Sequence, residues 1–238
     1  MAVFVLVHGA WHGAWCWQRV IPLLHAQGHR VHAVTLTGVG ERAHLRSPAV
    51  TLETHIADVV NLIEAEELDS VVLAVHSYAG MIGTAVADRM PHRLKHLVYV
   101  DGNVPMPGES SGSRHAPATR ESRLAACAAS ADFSYPPPDP SVYGLSGDDH
   151  AWVARRQTPQ PGRAYIAPLH FDPARVASVP RTFIDCQSPP LPTIDVSRQR
   201  VRDPAFWGAP WRVVQLDTGH DPMVSAPDDL ARVLLGCL

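Results

Sequence analysis

Ser77, in the run Ala74-Val75-His76-Ser77-Tyr78-Ala79-Gly80, is the side chain best placed for nucleophilic chemistry. It follows the apolar, β-branched stretch Val71-Val72-Leu73-Ala74-Val75 and precedes Gly80-Met81-Ile82-Gly83-Thr84-Ala85-Val86-Ala87, which reads as a helix. A serine at the tip of a buried strand projects its hydroxyl beyond the sheet, beside the first free amides of the helix that follows. That arrangement suits acyl transfer; an ordinary helix N-cap is the competing reading of the same residue. The turn departs from the common pattern. Val75 and Ala79 stand where small glycines usually relieve a strained strand-to-helix elbow, and Gly80 and Gly83 lie nearby instead.

Two remote segments carry matching chemistry. Val3-Phe4-Val5-Leu6-Val7 runs as an apolar strand into the small-residue turn His8-Gly9-Ala10-Trp11. A backbone N–H from such a turn, with the amide after the serine, forms an oxyanion hole, so Ala10 and Tyr78 are the expected donors. Late in the chain Val213-Val214-Gln215-Leu216-Asp217 ends in Thr218-Gly219-His220. His220 is the expected general base, taking the Ser77 proton and returning it to the leaving group.

The acid that would orient His220 is less plainly written. The loop after Arg181-Thr182-Phe183-Ile184-Asp185-Cys186 is Gln187-Ser188-Pro189-Pro190-Leu191-Pro192, which holds no carboxylate. Asp101, at the end of Leu97-Val98-Tyr99-Val100, is favoured; its structural alternative is a turn at Asp101-Gly102-Asn103. Asp185, whose direction depends on the pleat, and Asp195, expected on a following helix facing water, are the other candidates.

Positioning these groups requires strands and helices in alternation, the mark of a mostly parallel sheet covered on both faces. Strands are expected near residues 2–8, 30–35, 70–76, 95–101, 181–186 and 211–217, and helices near 14–27, 51–66, 78–89, 193–204 and 226–236. Between Asp101 and Arg181 the alternation breaks. This stretch contains Tyr135-Pro136-Pro137-Pro138-Asp139-Pro140 and helical pieces near 119–129 and 147–156. With Tyr143, Trp152, Tyr165, Leu169 and Phe171 it reads as a packed lid rather than a linker.

The chain resembles the α/β-hydrolase superfamily, in the branch of plant methyl-ester esterases, hydroxynitrile lyases and their bacterial esterase relatives. The likeness rests on Phe4–Trp17, the Ser77 elbow, Leu97–Asp101, Gly219-His220-Asp221-Pro222-Met223, and Trp152–Pro161, which is similar to a lid segment of the bacterial members. It implies an α/β-hydrolase fold with about six strands. The core would comprise 1–102 and 179–238, and the lid 103–178. It also implies a serine hydrolase cleaving carboxylic esters of small molecules, with Gly9, Trp11 and Trp152 around the substrate. The plant lyases carry threonine where this chain has Gly9 and lysine where it has Asp221. A carboxylate opposes an anionic leaving group, so ester hydrolysis is preferred over lyase chemistry. A cyclase or thioesterase acting on a biosynthetic intermediate, or a non-catalytic small-molecule receptor, are the alternatives. Relatives are often dimers, making a homodimer an open expectation.

Composition sets outer bounds. Over 238 residues, 46% hydrophobic and 18% charged, the chain is long and apolar enough for one large packed domain. A formal net charge of −3 with no basic tract argues against nucleic acid as a partner. Cys16, Cys127, Cys186 and Cys237 have no paired spacing, suggesting buried thiols in a reducing, cytoplasmic compartment. No apolar run reaches membrane-spanning length, and no membrane partner is expected. No cofactor is expected. His8 and His12 lie across a turn without a zincin glutamate or a third ligand at useful spacing, so no metal is expected either.

Overall fold

The computed structural model describes residues 1–208 and 210–238. The first half alternates as expected: β1 (Val3–Val7), α1 (Ile21–His25), β2 (Arg30–Val34), α2 (Leu52–Ala65), β3 (Val71–His76), α3 (Ala79–Arg89) and β4 (Leu94–Val100). The insertion follows, with α4 (Pro117–Ala129), β5 (Ser134–Tyr135), α5 (Gly147–Ala154), β6 (Gln160–Pro161), α6 (Gly162–Ile166) and α7 (Pro173–Ala177). The chain then returns to the sheet through β7 (Arg181–Cys186), α8 (Asp195–Arg202), β8 (Arg212–Leu216), α9 (Pro222–Ser225) and α10 (Pro227–Leu235).

Six strands form one parallel sheet in the order β2-β1-β3-β4-β7-β8. Helices cover both of its faces, so its central strands need apolar side chains in both directions. β3 and β7 are buried at every position; this explains the unbroken apolar run Val71–Val75 of β3, whereas β7 also buries Arg181, Thr182 and Asp185. The chain reverses direction across the sheet between β1 and β3, and the carboxyl ends of these strands open a crevice there. The turn after β1, the serine after β3, the aspartate after β4 and the histidine after β8 all leave the sheet at that end.

Differences from the sequence reading have local causes. The helix expected over 14–27 splits into a 3-10 turn at Ala14–Trp17 and the short α1, because Pro22 lacks the N–H an uninterrupted helix would need there. The helix expected over 193–204 is α8, which stops at Arg202; Asp203 precedes a proline, a position that disfavours helical backbone. The two-residue strands β5 and β6 pair antiparallel inside the insertion and were not expected. Val75, the bulky residue at the elbow, is accommodated by Gly83 on α3. A Cβ on Gly83 would lie 2.8 Å from both Val75 methyl carbons. The glycine that usually sits on the strand is thus replaced by one on the helix facing it.

Candidate active site

Three residues at this end of the sheet hold left-handed backbone despite their side chains: Trp11 (φ 64), Ser77 (φ 53) and Asp101 (φ 41). Such conformations cost about 1–2 kcal/mol each and require surroundings that impose them. Around Ser77 those surroundings are hydrogen bonds. Its N–H donates to Val100 O (3.2 Å), and its carbonyl accepts from Gly80 (3.0 Å) and Asn103 (2.9 Å). The Asp101 N–H donates to Ile184 O at 2.8 Å, anchoring the end of β4 on β7.

The Ser77 hydroxyl lies 2.9 Å from His220 Nε2, and His220 Nδ1 lies 2.7 Å from Asp101 Oδ2. His220 and Asp101 are buried and Ser77 is partly exposed. An Nδ1–H donated to a buried carboxylate leaves Nε2 free to accept the serine proton. Of the three candidate acids, the structure brings only Asp101 to His220. Asp185 is equally buried, but its carboxylate is held by Arg198 (2.6 Å), Arg202 (2.8 Å) and Gln187 (2.5 Å). Asp195 opens α8 with a largely exposed side chain.

Arg198, which the sequence reading missed, completes the line. All five of its N–H donors are used: Nε to Asp185, Nη1 to Leu191 O and Asp195, and Nη2 to Asp101 Oδ1 (2.8 Å) and Cys186 O. Burial alone would lower its pKa, but the Asp101 and Asp185 carboxylates outweigh that and raise it. Arg198 therefore holds one Asp101 oxygen while His220 takes the other. The available signal was Asp195 three residues ahead of Arg198 on one helix, a weak one by itself.

The Ala10 and Tyr78 amides border the same space as Ser77 and His220. Neither has a hydrogen-bond acceptor among the described residues, as expected for Tyr78, which sits at the unpaired start of α3. The loop carrying Ala10 is pinned from several sides. His8 donates from Nδ1 to Gly9 O (2.7 Å) and accepts from Leu36 N–H (3.1 Å). Burial drops its pKa to about 3, so it is neutral. His12 donates to Ala10 O (2.7 Å) and to Asp221 Oδ2 (3.1 Å). From the insertion, Gln160 Oε1 accepts the Trp11 N–H (2.9 Å), and the Thr158 N–H donates to Trp11 O (3.0 Å).

Asp221 and its neighbours form a second buried polar group behind His220. Burial disfavours the Asp221 carboxylate, but the His12 imidazolium bonded to it prevails and holds the pKa at about 2. Burial likewise opposes the charge on His12, and Asp221 raises its pKa nonetheless. His76, kept neutral by burial and by the neighbouring His220, donates from Nε2 to the His220 carbonyl at 2.8 Å. Asp221 begins α9 without capping it and lies outside the lining of the substrate cavity. Paired with His12, it does not face a leaving group, so the charge argument against lyase chemistry loses its footing. His76, His220 and Asp221 also lie close enough to share a cation, but His220 and Asp221 are already engaged by Asp101 and His12.

A cavity of about 460 Å³ opens above Ser77. Of the three residues expected around a substrate, Trp11 lines this cavity and Gly9 and Trp152 lie outside its lining. Gly9 is a close-approach residue: a Cβ there would lie 2.7 Å from His76 Nδ1 and 2.8 Å from Ser77 Cβ. Trp152 packs edge-on against Trp15 (5.1 Å between ring centres) and beneath Arg19 and Arg156. Its aromatic surface is spent on attaching the insertion to the turn after β1. The wall of the cavity comes mostly from insertion residues not foreseen from sequence, among them Arg114, His115, Arg123, Tyr135 and Tyr143. Nothing in their spacing marks them, because they converge from separate short elements.

A serine–histidine–carboxylate line at the switch point of a parallel sheet, beside two unpaired amides, defines the architecture of an α/β hydrolase. The chain belongs to the alpha/beta hydrolase family, whose pattern it matches over residues 4–233. It is 41% identical over 243 residues to a carbendazim hydrolyzing esterase from Nocardioides, covering 98% of each chain. It is 29% identical over 257 residues to methylesterase 1 of Arabidopsis thaliana, covering 98% of this chain and 94% of that one. Among solved structures, an extracellular alpha/beta-hydrolase from a Paenibacillus species superposes with a TM-score of 0.83 at 21% identity, over 100% of this chain and 99% of that chain. Among the described residues, no helix is long and apolar enough to cross a membrane.

Proposed function

We propose that this protein is a serine esterase that cleaves carboxylic esters of small molecules through an acyl-enzyme on Ser77. The observation that carries the reading is the unbroken line from Ser77 Oγ through His220 to Asp101, at 2.9 and 2.7 Å, beside the free amides of Ala10 and Tyr78. In the first step His220 Nε2 takes the Ser77 proton as Oγ attacks the ester carbonyl carbon. The resulting oxyanion accepts from the Ala10 and Tyr78 N–H groups; each such donor is worth about 3 kcal/mol at comparable sites. Collapse breaks the C–O bond, and His220 passes its proton to the departing alcohol. Water then attacks the acyl-enzyme while His220 takes its proton, and the acid leaves as Oγ is reprotonated. Asp101 steadies the imidazolium formed in each half-reaction.

The same reading takes segment 103–178 as a lid shaping the cavity, and the protein as a soluble cytoplasmic enzyme. Its four buried, unpaired cysteines fit a reducing compartment. Ester cleavage by the Nocardioides relative, nearly full-length in its match, supports the reaction class.

The test is Ser77→Ala. Turnover of p-nitrophenyl acetate should fall by about a millionfold, because the triad acts as a unit. A fluorophosphonate should add one adduct to the wild type, mapped to Ser77 by peptide mass, and none to the variant. Retained turnover, or an adduct elsewhere, would assign the nucleophile to another residue.

A further inference from the structure

The cavity above Ser77 has a charge pattern that ester cleavage alone does not explain. Two arginines, Arg114 and Arg123, line it, and no aspartate or glutamate does. Arg114 is matched by Glu109 at 3.0 Å, and Arg200 grips the same carboxylate at 2.6 Å. Arg123, on α4, has no carboxylate partner among the described residues. Its Nη1 donates to His115 Nε2 at 2.8 Å, and the Tyr165 hydroxyl lies near it. Burial and the adjacent guanidinium bring His115 down to about pKa 4, so it is neutral and supplies no counter-charge.

Three aromatic rings also surround Arg123. Its guanidinium carbon lies 5.3 Å from each of the Trp11, Tyr135 and Tyr165 ring centres. Rings hold a cation by their faces and leave the in-plane N–H edge of a guanidinium available to an acceptor. They also make the surroundings less polarisable than water, which strengthens attraction to an anion entering the cavity. Trp11, Tyr135 and Tyr143 supply flat apolar walls in the same cavity, suited to an aromatic body.

We propose that Arg123, caged by Trp11, Tyr135 and Tyr165, is an anion-accepting subsite, and that the preferred substrates are aromatic esters carrying a second, anionic group away from the scissile bond. The assignment rests on the esterase reading for its reaction but not for its binding. Arg123 recognises the anion by charge-assisted hydrogen bonds, the rings take the aromatic body, and Ser77 attacks the ester carbonyl.

Three methyl esters that differ in the charge of one ring substituent test it: methyl benzoate, monomethyl terephthalate, and methyl 4-(aminomethyl)benzoate. At neutral pH and low salt, the wild type should favour the terephthalate monoester over methyl benzoate by about tenfold or more in kcat/KM, and disfavour the cationic ester. Arg123→Met should bring the anionic-to-neutral ratio to within about twofold of one, and Arg123→Lys should keep part of the preference. Calorimetry on Ser77→Ala protein adds a readout free of turnover, in which terephthalate should bind more tightly than benzoate by a similar factor. A wild-type ratio near one, equal binding of the two acids, or a ratio that Arg123→Met leaves in place would overturn the subsite. If no ester is turned over but terephthalate still binds preferentially, the esterase reading fails and the subsite stands.

Discussion

The two halves of the site are built on opposite plans. At the sheet end, the polar groups proposed to carry the chemistry are tied into one chain of bonds, from Ser77 through His220 and Asp101 to Arg198, whose five donors are all used. Across the cavity, the insertion supplies a wall of side chains from separate short elements, among them Arg123, Tyr135 and Tyr143. The contrast separates two tasks. A proton relay needs distances fixed to a fraction of an ångström, and a fully paired network supplies that. A cavity wall has only to offer surface, and flat rings around one guanidinium do so. The halves still touch through backbone: the His220 N–H donates to Tyr143 O at 3.0 Å, and Trp11 is hydrogen-bonded to Thr158 and Gln160. The insertion thus helps to place the loop after β1 and His220 as well as forming the wall.

This contrast can be broken most forcefully at Asp101. Asp101→Asn should lower kcat by about 10⁴-fold, since the amide cannot hold the same His220 tautomer, whereas Asp185→Asn should act mainly on stability. A larger kinetic loss at Asp185 would move the acid. Arg198→Met leaves two buried carboxylates short of a cation. It should destabilise the fold by about 3–5 kcal/mol in a denaturant melt. A melt close to wild type would mean that Asp101 and Asp185 find other partners.

Asp221 offers a pH-resolved version of the same test. Its folded pKa of about 2 lies below the ordinary 3.8, so its contribution, about 2 kcal/mol, is fully present above roughly pH 4 and fades as pH falls through about 2. The pKa of His12 is raised, so its contribution is complete below about pH 6.5 and fades as pH rises through the folded value. The stability gap between wild type and Asp221→Asn should therefore be widest between about pH 4 and 6.5 and narrow on either side; a gap that does not vary with pH would contradict the pairing. The mildest change is Trp152→Ala on the insertion. Loss of the edge-on contact with Trp15 should cost about 1 kcal/mol in stability. The kcat/KM for p-nitrophenyl acetate should stay within about threefold of wild type; a much larger fall would return Trp152 to the substrate site.

Legibility from sequence followed the range over which each feature is written. The six sheet strands were readable because each is a short stretch rich in apolar and β-branched residues, continuous in β1 and most of β3 and interrupted by polar residues in the others. Ser77, His220 and the Gly9-Ala10 turn were readable because each ends such a strand, where a side chain or amide must emerge at one edge of the sheet. Asp101 shared that logic but had rivals, and composition could not rank three aspartates. Trp152 lies outside the cavity lining and against Trp15, and in sequence an aromatic residue within an insertion looks the same whether it lines a cavity or attaches the insertion to the core.

Local sequence thus determined the strand-to-helix alternation, the serine at its elbow, and the histidine and amides that could serve it. Each of these depends on neighbours within about ten residues, where backbone sterics and hydrophobic period decide the outcome. Only the folded chain decided which carboxylate faces His220, that Arg198 secures it, and that Arg123 enters the cavity without an acidic partner among the described residues. Those relations join residues up to 119 positions apart, as between Asp101 and His220. They are settled by the order in which strands assemble and helices pack, which no local pattern records.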